Sequence, residues 1–151
     1  MSSGGGSMRK GFRQMVSEAN AEVQTWSVAD ALAALGRPDV AFVDIREPEE
    51  RTRDGMIPGA EPAPRGMLEF YADPESPYHK AVFASGKTLL LYCASAGRSA
   101  LAARTLKDMG LEKVAHLAGG FKAWLAANGP AQKESTVAGG SPEGAGGRPS
   151  A

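Results

Sequence analysis

The chain's one cysteine, Cys93, opens the segment Cys93-Ala94-Ser95-Ala96-Gly97-Arg98-Ser99. A continuous apolar run precedes it and a helical pattern follows it. This placement suits nucleophilic sulfur chemistry. Ligands of open α/β sheets sit at the carboxyl ends of the strands. A loop of small residues lets successive backbone N–H groups converge into a nest for an anion. The helix beyond it adds its free first-turn amides and the positive end of its dipole. A thiolate held there is stabilised by those donors. Arg98 adds a cation that keeps its proton. Nucleophile and anion receptor together are what attack on an anionic sulfur donor requires.

The elements that must position this segment are readable on either side of it. Thr88 to Tyr92 (TLLLY) suits a central strand of a parallel sheet, buried on both faces. Val40 to Ile45 (VAFVDI) is a second buried strand, with Asp44 at its end, and Val114 to Leu117 is a third. Helices are expected over Ser99 to Met109 and around Phe121 to Ala127. Pro48 sits where the first turn of a short helix through Arg53 would place it. Ser27 with Asp30 starts another, because a serine hydroxyl accepts a free first-turn amide. Phe12, Met15, Val16 and Ala19 give an amphipathic N-terminal helix. Residues 61–85 hold four prolines and read as loops, with a helical piece near Met67 to Tyr71. Strands alternating with helices define the α/β class, with a mostly parallel central sheet and helices on both faces.

Composition bounds the possibilities. The chain has 151 residues, which suits one domain. Residues 1–7 (MSSGGGS) read as a flexible linker or tag, residues 8–130 as the domain, and residues 131–151 as a disordered tail. Lysine plus arginine equals aspartate plus glutamate, so nothing in the charge asks for nucleic acid or an anionic membrane. No apolar run reaches spanning length, and the start lacks a signal-peptide pattern. One cysteine excludes an internal disulfide and a multi-cysteine metal site. No metal is expected, and the expected location is cytoplasmic.

Beyond the loop, the segments Val43-Asp44-Ile45-Arg46-Glu47-Pro48 and Gly55-Met56-Ile57-Pro58-Gly59-Ala60 stand out. So do Leu90-Leu91-Tyr92-Cys93 with Arg98-Ser99, and Leu117-Ala118-Gly119-Gly120-Phe121 with Trp124. Over about residues 25 to 130 this order of motifs resembles the rhodanese-like family. The resemblance implies a sulfurtransferase. Cys93 would take sulfur from thiosulfate or a persulfide, hold it as a persulfide, and pass it to a thiol, to cyanide or to a sulfur-relay protein. The amides of Ala94, Ser95, Ala96, Gly97, Arg98 and Ser99 would cradle the sulfur and the donor, the Arg98 side chain would fix the loop or the anionic donor, and Asp44 and Arg46 would brace the site.

Two positions depart from the family pattern. Met56 stands for a histidine usual in that turn, which is expected to be structural. Ala96 stands where glycine is frequent; if that position needs a positive φ, alanine strains it unless Gly97 absorbs the turn. Plainer readings apply to the other residues. Asp44 is equally suited to capping a turn, and Arg46 to pairing with a local acid. His79 is read as exposed and His116 as packed or partly exposed, neither with a catalytic role. Arg65 is read as solvent-exposed. Two rival functions belong to the same fold. A non-catalytic binding module would not need Cys93 with Arg98. A cysteine phosphatase would need a longer loop than the four residues from Ala94 to Gly97.

Overall fold

The computed structural model describes residues 8–133. The readings of residues 1–7 as a linker and of 134–151 as part of a tail lie outside the described residues. Five strands form one all-parallel sheet: β1 (Gln24–Trp26), β2 (Val40–Asp44), β3 (Glu61–Pro62), β4 (Thr88–Tyr92) and β5 (Val114–Leu117). The helices are α1 (Phe12–Glu22), α2 (Val28–Ala34), α3 (Pro48–Asp54), α4 (Leu68–Ala72), α5 (Gly97–Asp108) and α6 (Gly120–Ala126), with one-turn 3-10 segments at Arg65–Met67 and Ala81–Ala84. The order across the sheet is β1-β5-β4-β2-β3.

Side-chain alternation along β4 splits the core in two. Leu89, Leu91 and, just past the strand, Cys93 share one face with Ala102, Ala103 and Leu106 of α5 and Leu68 and Ala72 of α4. Leu90 and Tyr92 share the other with Ala31 and Ala34 of α2 and Phe121 and Trp124 of α6. A strand covered on both sides needs the unbroken apolar run that TLLLY supplies.

The strand order also locates a crevice. The connection leaving β2 goes outward to the edge strand β3, whereas that leaving β4 goes the other way to β5. Loops that diverge from neighbouring strands open a cleft at their carboxyl ends. Asp44 and Tyr92 are register partners at that point, and Cys93 is the next residue.

Three sequence readings need correction. The strands β1 and β3 carry no periodic signal, because three and two residues are too few; they form by pairing with β5 and β2. Pro62 is tolerated in β3 because it lies at the sheet edge. Helix α5 starts at Gly97, two residues before the expected Ser99. The apolar stripe of α1 is only partly used: Ala19 is buried, whereas Phe12 and Met15 are exposed. The C-terminal half of α1 does the docking, through Arg104 of α5 to Glu18 and Glu22 and through Lys107 to the Glu22 carbonyl.

The turn into α6 runs close against the loop after β4. Gly120 has φ +67, and a Cβ there would lie 2.6 Å from the Ala94 carbonyl and 2.7 Å from that of Cys93. Both the left-handed backbone and the space demand glycine. Gly120→Ala is expected to cost about 3 kcal/mol or more, read as a fall in the urea midpoint; an unchanged midpoint would show that the loop relaxes freely.

Candidate active site

Cys93 is 1% exposed, and two backbone amides point at its sulfur: Ala96 N–H at 3.1 Å and Ser99 N–H at 3.4 Å. Both come from the turn that starts α5, so the sulfur sits at the positive end of a twelve-residue helix. The loop is gripped from the far side as well. Phe121 N–H donates to the Cys93 carbonyl (2.8 Å) and Lys122 N–H to the Ala94 carbonyl (3.1 Å). The first turn of α6 thus spends its free amides on the loop's carbonyls.

The strain expected at Ala96 is present. Ala96 itself takes φ 86, ψ −11, and Gly97 does not absorb it but begins the helix. A left-handed residue followed by a right-handed one turns consecutive amides to one side, which is how Ala96 N–H comes to face the sulfur.

Of the two expectations for Arg98, fixing the loop or fixing the anionic donor, its contacts bear on the first. Its two terminal nitrogens each donate to a carboxylate oxygen of Glu50, at 2.8 and 2.8 Å. Glu50 also closes the capping box of α3 by accepting from Glu47 N–H (2.9 Å). The Arg98 hydrogen bonds hold the Glu50 carboxyl down to about 2, against partial burial. The same pairing raises Arg98 further above its ordinary value, with a smaller contribution from Cys93. Glu50 was missed in the sequence. Its capping position after Pro48 was visible, but its partner lies 48 residues on and no spacing rule links them.

Asp44 and Arg46 are both buried and bound to each other. The Asp44 carboxylate accepts from Arg46 N–H (3.0 Å), Nε (3.0 Å) and Nη2 (2.7 Å), and from the Tyr92 hydroxyl (2.7 Å). Arg46 also donates to the Gly55 carbonyl (2.7 Å) and lies over the Phe121 ring at 4.4 Å. Burial opposes its charge and the Asp44 bonds outweigh that, so its ionised form is held more firmly than usual. Burial first, and then Asp44, push Tyr92 well above the ordinary phenol range, so it stays a donor. Met56 is buried in the α2–α6 side of the core, and its backbone pairs with Gln132.

His116 is packed as expected, whereas His79 and Arg65 are less exposed than expected. His116 is fully buried, its Nδ1 2.9 Å from the Ser99 hydroxyl. His79 is part-buried with Nδ1 3.0 Å from the Tyr71 carbonyl. Arg65 is half-buried between Glu69 and Thr105.

The fold that forms this crevice has known counterparts. The rhodanese-like domain profile matches residues 27–127, and the chain belongs to that family. A protein named sulfurtransferase from Allochromatium vinosum is 32% identical over 110 residues, 73% of this chain and 89% of that one. A solved structure from Rhodopseudomonas palustris, described as a protein of unknown function and possible tyrosine phosphatase, is 48% identical with TM-score 0.82, covering 86% of this chain and 100% of that one. The polysulfide-sulfur transferase homodimer of Wolinella succinogenes is 27% identical with TM-score 0.62, covering 83% and 90%. The chain spans 48% and 59% of the length of two further curated relatives, 37% and 35% identical. Among the described residues no helix is long and apolar enough to cross a membrane.

Two outcomes follow from this geometry. Ala96→Gly is expected to stabilise the fold by about 0.5–1 kcal/mol, because relief of the left-handed strain exceeds the added chain entropy; a urea midpoint that stays or falls would contradict it. The Glu50 contribution has a defined pH window. Its folded value lies below the ordinary 4.5, so the stability it gives is present above about 4.5 and is lost as pH falls towards about 2. Arg98 is partly solvated, so the pair contributes about 1 kcal/mol at most. Melting curves of wild type and Glu50→Gln are expected to differ at pH 7 and to converge near pH 2.

Proposed function

We propose that this domain is a sulfurtransferase that carries sulfane sulfur as a persulfide on Cys93. The observation that supports it most is the Cys93 sulfur facing the Ala96 and Ser99 amides at the start of α5. Donors fixed in place stabilise negative charge without reorganising, and both the thiolate and the terminal sulfur of a persulfide carry such charge. Ala94, Ser95, Ala96, Gly97 and Ser99 form the loop that receives the incoming sulfur. Arg98, locked by Glu50, holds the loop against α3, and Asp44 with Arg46 braces the crevice floor. The donor is thiosulfate or a persulfide, and the acceptor a thiol, cyanide or a relay protein. The chemistry is thiol exchange and runs without a dissociable cofactor.

The resemblance to a possible tyrosine phosphatase favours a second reading, phosphoryl transfer through Cys93. Two features oppose it. Four residues separate Cys93 from Arg98, a tight ring for a tetrahedral phosphate. Both terminal nitrogens of Arg98 already donate to Glu50, which competes with a phosphate for them.

Intact-protein mass after incubation with thiosulfate or a low-molecular-weight persulfide is expected to rise by one sulfur atom in wild type and not in Cys93→Ala. Cyanide should remove the sulfur as thiocyanate. No gain with any donor, together with turnover of an aryl phosphate, would transfer the site to the phosphatase reading.

A further inference from the structure

The mechanism above leaves one buried polar chain unused. The Cys93 sulfur lies 3.6 Å from the Ser99 hydroxyl, which lies 2.9 Å from His116 Nδ1. On the other edge of the ring, His116 Nε2 is 2.8 Å from Asn20 Oδ1 and 3.2 Å from the Thr25 hydroxyl. Cys93, Ser99 and His116 are each about 1% exposed or less. These contacts fix the direction of the chain. The Asn20 carbonyl oxygen only accepts, so Nε2 carries the proton and Nδ1 presents its lone pair. Nδ1 is the shortest acceptor for the Ser99 hydroxyl, the alternative being the Ala96 carbonyl at 3.2 Å. The serine oxygen then faces Cys93 with its lone pairs, and the order is S–H to O–H to N.

We propose that His116 is a positioning residue that takes the Cys93 thiol proton through Ser99 and holds it while the sulfur reacts. The role rests on the reading of Cys93 as the reacting sulfur. The thiol proton moves to Ser99 Oγ as the Ser99 proton moves to His116 Nδ1. The products are a thiolate and an imidazolium, with charge conserved. The hydrogen bonds then reverse: Nδ1–H donates to Oγ and the hydroxyl donates to the thiolate, adding a third donor to the two amides. The thiolate attacks the outer sulfur of the donor. A sulfur–sulfur bond to Cys93 forms, the donor's own bond breaks, and its electron pair leaves with sulfite or a thiolate. Attack by the acceptor on the persulfide's outer sulfur regenerates the Cys93 thiolate, and the proton returns along the same path.

The surroundings suit such a store. α1 presents Asn20, β1 presents Thr25, β4 presents Leu91 in register with His116, and α5 presents Ser99. The charged groups of α1 and α5 nearby, Glu18, Glu22 and Arg104, pair with one another. Burial holds the ring below the ordinary histidine value, so it is neutral at pH 7 and free to accept. The ionisable group that faces it across Ser99 is Cys93, and the thiolate formed there stabilises the imidazolium that burial disfavours.

The test is the pH profile of Cys93 alkylation by iodoacetamide in the full chain. Ser99→Ala removes the hydroxyl and leaves the ring; His116→Asn keeps an acceptor for Ser99 without a basic nitrogen. Each is expected to slow alkylation at pH 7 about tenfold or more. The gap should close to within about twofold at pH 10, where solvent base ionises the thiol unaided. Wild-type rates at pH 7 in the folded variants would overturn the relay. So would equal slowing at both pH values, which marks a distorted pocket. Should His116→Asn not fold, Ser99→Ala decides by itself. Sulfur loading on wild type, read by mass, is independent: loading with an unmoved profile sinks only the relay, and a moved profile without loading sinks only the sulfurtransferase reading.

Discussion

Everything at the crevice hangs on a buried charge. Asp44 is fully enclosed and accepts four hydrogen bonds, three from Arg46 and one from Tyr92. A lone carboxylate there would be prohibitive, and a buried pair that loses one member typically costs about 3–5 kcal/mol. The fold therefore cannot move β2 without moving what Asp44 holds. Arg46 carries the tie to Gly55, and Tyr92, which also accepts from Ile57 N–H (3.1 Å), carries it to β4. Cys93 follows Tyr92 directly. Its position along the sheet is set by a network it does not join.

Orientation of the sulfur is set separately, by two helix starts. α5 supplies amides to the sulfur, and α6 supplies amides to the carbonyls of Cys93 and Ala94. The carbonyls are drawn one way and the side chain the other. This division explains why the loop tolerates alanine in a left-handed conformation at Ala96: the strain of about 1–2 kcal/mol is held by contacts on both sides. It also explains why Gly120 cannot change in kind. There the obstacle is backbone, which has nowhere to go.

Much of this was legible in the sequence. TLLLY marked the central strand, and a cysteine after it marked a strand end. The small-residue loop before a helix marked a nest, and Ser27 accepts from Asp30 N–H (3.0 Å) as the capping pattern suggested. What stayed hidden was long-range pairing. Glu50 with Arg98, and Ser99 with His116, join elements whose separation in sequence carries no period. His116 was further disguised by its setting. In a four-residue strand that is wholly buried, a histidine reads as a packed side chain; the parallel register of β5 beside β1 sets Thr25 opposite it, and the packing of α1 and α5 brings Asn20 and Ser99 to its edges. The short strands β1 and β3 escaped for a related reason: their partners, not their residues, make them strands.

The pairing of Arg98 with Glu50 bears on which donor the site would accept. An arginine in the loop suggests a receptor for a dianion such as thiosulfate. With both terminal nitrogens on a carboxylate held ionised down to about 2, the pair is close to neutral at physiological pH. The attraction left for an anion comes from the loop amides, from the α5 dipole, about half a unit charge that fades within a turn, and from the smaller pull of Arg98 on the sulfur itself. Such a field suits a single partial charge lodged at one sulfur better than a dianion spread over several oxygens. On the sulfurtransferase reading, a persulfide, whose terminal sulfur carries one charge or less, matches the field better than thiosulfate does. Selectivity among sulfur donors would then follow from where Glu50 places the arginine and not from the arginine itself.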